Sequence, residues 1–356
     1  MKRYFILVCL PLFCQFILLA QEEPEVADLG DTIRINADLF EGPEPLEMTL
    51  TFDVKRYLRE KNSDEYLPVD LLLHFNDTID IEKSVRIKSR GEFRKNTCYF
   101  VPFWLNIRKA DVENKYLKEV TKMKVVTHCR AGDAYEDYVL LEFLAYKIYN
   151  LLSPVSFRVR LILMKYVDTG RNNKVTESWA FLIEPEEMLA GRSGGLVIEN
   201  DGLGMVHMRR EEMLRAALFQ FMIGNCDYSI AGRHNMKLLG LPGFGTQGYT
   251  PVPYDFDYAG FVNASYAVPG ENLGISSVTQ RYYLGPCRED AEYLSAIQYM
   301  EDHREEILEL IQGFPYLGEK ARNSAIGYIE SYFTEASDPR LSSPCSRASR
   351  TSPVNG

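Results

Sequence analysis

Between residues 47 and 127 apolar and polar side chains alternate with a period of two, and after residue 185 the apolar spacing changes to three and four. That switch constrains the fold more than any other feature. A strand must send successive side chains to opposite faces, whereas a helix repeats its face every third or fourth residue. The alternating runs are Met48-Thr49-Leu50-Thr51-Phe52-Asp53-Val54, Leu67 to Phe75, Ser84 to Lys88, Phe103-Trp104-Leu105-Asn106-Ile107 and Lys122-Met123-Lys124-Val125-Val126. Pro, Asn and Asp punctuate them, so an antiparallel sheet is expected.

A single strong helix interrupts the strands. Asp133-Ala134-Tyr135-Glu136 supplies a cap and a first-turn acid. Tyr138, Leu141, Leu144, Ala145, Ile148, Leu151 and Leu152 then follow at helical spacing until Ser153-Pro154. Two apolar stretches, Phe157 to Val167 and Trp179 to Ile183, flank the polar turn 168–173 and read as a hairpin-like pair. Glu184 to Glu187 breaks the pattern. Beyond it, 188–191, 210–224 (with Met213, Leu214, Ala217, Leu218, Phe221 and Met222 as its stripe), 288–312 and 317–334 are helical. A strand-rich half with one helix therefore precedes a helix-rich half, and the expectation is a two-lobed α+β protein: 47–184 as one lobe and 185–335 as the other.

The ends read differently. Residues 1–20 resemble a secretory signal, with Lys2 and Arg3 before the apolar run Tyr4 to Leu19 and a small residue at Ala20. An uncleaved anchor is the alternative, whereas Phe13 before Cys14 disfavours a lipoprotein start. Residues 21–46 are acidic and proline-containing, which suits a mobile arm, and 336–356 form a Ser/Pro/Arg-rich tail expected to be disordered. Export, to the periplasm, cell surface or medium, is the expected localisation. No later segment is apolar enough to span a membrane. The net charge of −10 argues against a nucleic-acid partner. Of the seven cysteines, Cys98 and Cys129 fall on segments read as neighbouring strands; a bridge and two separate buried thiols fit equally well. No CxxC is present, which disfavours structural zinc.

One polar cluster stands between apolar blocks of the second half. It comprises Gly224-Asn225-Cys226-Asp227-Tyr228-Ser229, His234-Asn235-Met236-Lys237 and Val252-Pro253-Tyr254-Asp255-Phe256-Asp257. Asp and Asn are poor core residues, so they need a reason to be there. Magnesium or manganese holding a phosphate would supply one, because these hard cations take one or two carboxylates plus phosphate oxygens. Asp227, Asn235 and Asp255 follow the order base, amide ligand, acid ligand of the phosphoryl-transfer template. Turn and cap chemistry is the alternative for Asp227 and Asn235. His234 reads as an orienting or core histidine.

These segments resemble the spore-coat-protein-H (CotH) kinase family of atypical secreted protein kinases. The likeness rests on Lys88-Ser89-Arg90-Gly91-Glu92-Phe93-Arg94-Lys95, on Asp227 with His234-Asn235, and on Val252-Pro253-Tyr254-Asp255-Phe256-Asp257. It spans residues 84 to 260. The chain has more residues between Asp227 and Asn235 than an ordinary kinase, and it has no GxGxxG, VAIK, HRD or DFG. The overall pattern is also similar to that of uncharacterised exported proteins of Bacteroidetes-type bacteria. The CotH resemblance implies a two-lobed, atypical protein-kinase-like fold that moves the γ-phosphate of ATP to a protein hydroxyl. Asp227 would be the catalytic base, Asn235 and Asp255 the Mg or Mn ligands, and Asp257 a further ligand.

Such a site also needs a cation on the nucleotide phosphates, paired with a helix acid. Glu142 is the candidate acid, with Glu136 as alternative, and Arg90, Lys95 and Lys124 compete for the cation. Glu184, in Leu182-Ile183-Glu184-Pro185 at the change of lobe, is the candidate for meeting an adenine ring through its backbone. Two further readings use the same residues: a catalytically weak or inactive surface binding module, and a metal-dependent phosphoesterase. The scattered histidines disfavour the latter.

Overall fold

The computed structural model describes residues 39–40, 42–76, 79–107 and 122–336. The expected signal segment, most of the arm and the tail after Ala336 lie outside the described residues. No helix among those described is long and apolar enough to cross a membrane. Leu39 and Phe40, assigned above to a mobile arm, are instead buried in a hydrophobic cluster, and Leu46 already belongs to the first strand.

Seven strands form the first part: β1 (Leu46–Phe52), β2 (Leu67–Asn76), β3 (Ile79–Ser89), β4 (Phe103–Asn106), β5 (Lys122–Thr127), β6 (Val159–Asp168) and β7 (Lys174–Ile183). They pair in the order β1-β2-β3-β4-β5-β7-β6, and the sheet closes on itself. Closure comes from a parallel pairing of β1 with β6, from Leu46↔Ile162 to Phe52↔Asp168; the other barrel neighbours are antiparallel. The expected open antiparallel sheet, and with it the two-lobed kinase-like fold, is therefore incorrect. An open sheet leaves two rows of unpaired backbone groups, and the β1–β6 ladder removes both at once.

Alternate residues fill the barrel. Met48, Leu50 and Phe52 of β1, Val85 and Ile87 of β3, Phe103 and Leu105 of β4, and Ile162 and Met164 of β6 join one buried cluster. Leu161, Phe181 and Ile183, on the opposite face of β6 and β7, join a second cluster. Burial on both faces explains why β6 and the second half of β7 read as nearly continuous apolar runs.

The helices are α1 (Val54–Glu60), α2 (Glu92–Thr97), α3 (Asp133–Leu152), α4 (Glu186–Arg192) and α5 (Arg210–Met222), followed by Asp290–Asp302, Arg304–Gln312 and Glu319–Ala336. The buried apolar residues of α3 fall in the second cluster, together with α5, the C-terminal helices and the outer faces of β6 and β7. The helix thus packs between the barrel strands β6 and β7 and the helical half. A small sheet, β8 (Leu196–Val197), β9 (Met236–Gly240) and β10 (Thr250–Pro253), completes the chain in the order β10-β9-β8.

Of the two readings left open for Cys98 and Cys129, the bridge forms. Their Cα atoms are 4.7 Å apart, and the Tyr99 and Phe100 N–H groups both donate to the Cys129 carbonyl at 3.0 and 3.1 Å. The bridge joins the end of α2 to the end of β5. It closes a 31-residue separation, so its reduction is expected to cost about 3–4 kcal/mol by loop-closure entropy. Urea unfolding with and without reductant measures this.

The first turn of α3 carries a pH-sensitive contact. A Glu136 carboxylate oxygen accepts from the Trp179 N–H at 2.6 Å, and burial pushes this carboxyl up to about 7. The folded state keeps a proton that the unfolded state has lost above about 4.5. The contribution is therefore intact below about 4.5 and disappears as pH rises through about 7. Thermal melts of Glu136→Gln should show a smaller loss of Tm between acid and neutral pH than the parent; an unchanged loss would refute the assignment.

Candidate functional site

The site is organised by the β9–β10 hairpin. Met236 pairs with Pro253, and one step further the Tyr254 N–H donates to the Asn235 carbonyl at 3.1 Å. This register sets the segment before β9 beside the segment after β10. Asn235 and Asp255 both adopt the left-handed region, at φ 50° and 64°. Only Asn and Asp, apart from glycine, enter that region at modest cost, and each such residue costs of order 1 kcal/mol or more. The surrounding hydrogen bonds hold them there.

Asp227 is fixed from several sides. One carboxylate oxygen meets His234 Nε2 at 2.8 Å, and the other accepts from Asn235 Nδ2 at 3.0 Å. Asn235 Nδ2 also donates to the Asp227 carbonyl at 2.8 Å. The Asp227 N–H donates to Asn225 Oδ1 at 3.0 Å, and Asn225 Nδ2 donates to the buried Gln220 of α5 at 3.0 Å. Asp227 is thus tied to the helical core through two amides. His234 takes the orienting role read from the sequence.

Asp255 receives its own support from α3, since its N–H donates to the buried Tyr146 hydroxyl at 2.8 Å. Its carboxylate is one-third exposed, and the Arg90 guanidinium approaches to 3.9 Å. Lys124 lies close by, with its ammonium 4.3 Å from the Tyr254 ring centroid. Burial lowers the Lys124 pKa to about 7, and Arg90 repels it further, while Asp255 opposes the shift. Arg90 and Lys124, two of the three competing cations, thus both act on Asp255.

Asp257 does not join the expected metal set. Its carboxylate meets the Arg94 guanidinium at 2.8 Å, and the same guanidinium meets Glu142 of α3 at 2.9 Å. All three side chains are buried. Burial pushes both carboxyls up, and Arg94 pulls them back. With its acceptor oxygen committed to Arg94, Asp257 is a structural anchor for the Asp255 loop. The candidate donors for a divalent cation are then the Asp255 carboxylate and the Asn235 side chain, whose segments are joined by the Tyr254 N–H bond to the Asn235 carbonyl. One carboxylate and one amide suit Mg, which completes its shell with water and phosphate. Among the described residues, no group of three or more His, Cys, Asp or Glu is arranged to hold a metal.

Arg94 is the residue that sequence reading missed. Glu142, the candidate acid for a phosphate-binding cation, pairs with Arg94 and with none of Arg90, Lys95 or Lys124. Arg94 and Lys95 are neighbours on α2, and the helix turns only Arg94 toward Glu142. Lys95, half-buried, meets Glu92 at 3.7 Å. No spacing rule could choose between adjacent basic residues without the helix axis. Glu136 lies apart from this pair, at Trp179. At the expected adenine turn the Glu184 side chain is buried between Arg158, just before β6, at 2.7 Å and Arg192 of α4 at 3.0 Å.

No family model matches the chain, and no curated protein matches it. The resemblance to CotH kinases therefore stands on the three quoted segments.

Proposed function

We propose that the chain is an exported phosphotransferase that moves the γ-phosphate of ATP, with Mg or Mn, to a protein or other extracytoplasmic hydroxyl. The observation that carries this reading is the meeting of Asp227, Asn235 and Asp255 at one end of the β9–β10 hairpin, with Arg90 and Lys124 over Asp255. The CotH-like motifs supply the chemistry, and the Cys98–Cys129 bridge suits an oxidising compartment.

In this reading Asp227 accepts the acceptor hydroxyl proton, with its orientation held by His234 and Asn235. Asp255 and Asn235 would hold the cation, which would supply charge neutralisation on the phosphates. Arg90 and Lys124 face the phosphate oxygens and stabilise the charge that develops as the bond to the leaving group breaks. Glu142 and Arg94 act at a distance, by fixing Asp257 and so the Asp255 turn. A second reading, a nucleotide-binding module without transfer, is favoured by the loss of Asp257 to the ion pair.

The test is incubation of the purified protein with labelled ATP and Mg or Mn, beside Asp227→Asn and Asp255→Asn. Transfer that disappears in both variants supports the phosphotransferase. Nucleotide-induced thermal stabilisation without transfer supports the binding module, and the absence of any nucleotide or metal response refutes both.

A further inference from the structure

The outer face of β3, β4 and β5 is built against the charge of the rest of the molecule. The chain is acidic overall, yet this face carries Arg86 and Lys88 of β3 and Lys122 and Lys124 of β5, while the alternating partners Val85, Ile87, Met123 and Val125 point into the barrel. The register aligns them in two rows: Lys88, Trp104 and Lys124 in one, Arg86, Asn106 and Lys122 in the other. Among the described residues no carboxylate pairs with Arg86, Lys122 or Lys124, while Lys88 meets Asp64.

Rings hold these cations in place. The Arg86 guanidinium lies 5.0 Å from the Tyr66 ring centroid, and the Lys122 and Lys124 ammonium groups lie 4.1 and 5.7 Å from the Trp104 ring. A cation already stacked on a ring has little side-chain entropy left to lose on binding. Arg90, also on Trp104 at 5.6 Å, links this face to Asp255.

We propose that this face docks an extended acidic segment of a partner protein, with carboxylates on alternate residues. Two positions along a strand separate the rows by about 7 Å, which is the spacing of same-face side chains in an extended peptide. Arg86 and Lys122 stand about 10 Å apart across two strand spacings, beside the Trp104 indole. Lys88 is held by Asp64, and Lys124 belongs to the phosphate site proposed above. Apolar side chains between the acids would cover that indole. A nucleic acid would bring a denser, uniform charge toward a protein whose overall field is negative, which favours the peptide. The docking rests on the phosphotransfer reading only in naming this partner as the acceptor.

The test is fluorescence anisotropy, without nucleotide, using a labelled peptide of alternating Glu and Thr, its Lys-Thr counterpart and a single-stranded oligoribonucleotide of equal charge. The Glu-Thr peptide should bind, its affinity should fall with salt, and Arg86→Glu with Lys122→Glu should weaken it about tenfold or more. The Lys-Thr peptide should not bind. Lys122→Ala, at an exposed position, serves as the fallback variant if the double reversal unfolds, and should weaken binding measurably. Equal binding of both peptides, no binding of the acidic one, or binding unaffected by both variants overturns the proposal. Tighter binding of the oligoribonucleotide overturns the peptide assignment. Because the assay needs no ATP, its failure and the failure of label transfer are separate results.

Discussion

Arg94→Met is expected to cost about 3–5 kcal/mol, the range seen when one partner of a buried ion pair is removed. Few single substitutions cost so much, and typical domains have only about 5–15 kcal/mol in total. The reason is that one guanidinium serves two carboxyls. Without it, Glu142 on α3 and Asp257 after β10 remain buried with no counter-charge. Adding Glu142→Gln and Asp257→Asn to Arg94→Met should recover much of the loss, because the neutral trio carries no unpaired charge. Urea midpoints of the single, double and triple variants read this directly. The defect should also shrink toward acid pH, where the raised carboxyls take up protons. A cost below about 1 kcal/mol, the level of an exposed pair, would mean that Arg94 is not the hub.

Asp227→Asn is expected to lower label transfer by about 10²–10⁴, the range for loss of a general base. Nucleotide binding should survive, since Asp227 touches His234 and Asn235 rather than the cations around Asp255. Thermal stabilisation by ATP and Mg should therefore match that of the parent. Asp255→Asn should behave differently. It removes the one carboxylate of the two-donor metal set and the charge facing Arg90, so both transfer and Mg-dependent stabilisation should disappear. Identical behaviour of the two variants would contradict the separate roles assigned to them.

Much of the site was legible in the sequence because polar residues stranded between apolar blocks have few structural uses. Asn235 is hydrogen-bonded to Asp227, and the β9–β10 pairing sets Asn235 beside the segment that carries Asp255. Asp257 was misread because an acid two residues after Asp255 looks the same whether it faces a metal or a guanidinium. The ion pairs of Glu184 were not legible, because a turn between apolar segments carries no mark of the arginines, Arg158 and Arg192, that fold back onto its side chain.

The fold divides along the same line. Periodicity located the long elements, because it is a local property of the chain: the helix expected from Asp133 occupies Asp133–Leu152, whereas the short helices α1 and α2 lie inside the stretch read as strands. It also carried an unread clue, the nearly unbroken apolar run of β6, which signals a strand covered on both faces. Strand partnership was decided by tertiary structure. Whether β1 ends a sheet or pairs in parallel with β6, more than a hundred residues away, depends on edge groups that every strand possesses alike. So does the choice of Arg94 over Lys95 for Glu142, which only the direction of α2 against α3 could make.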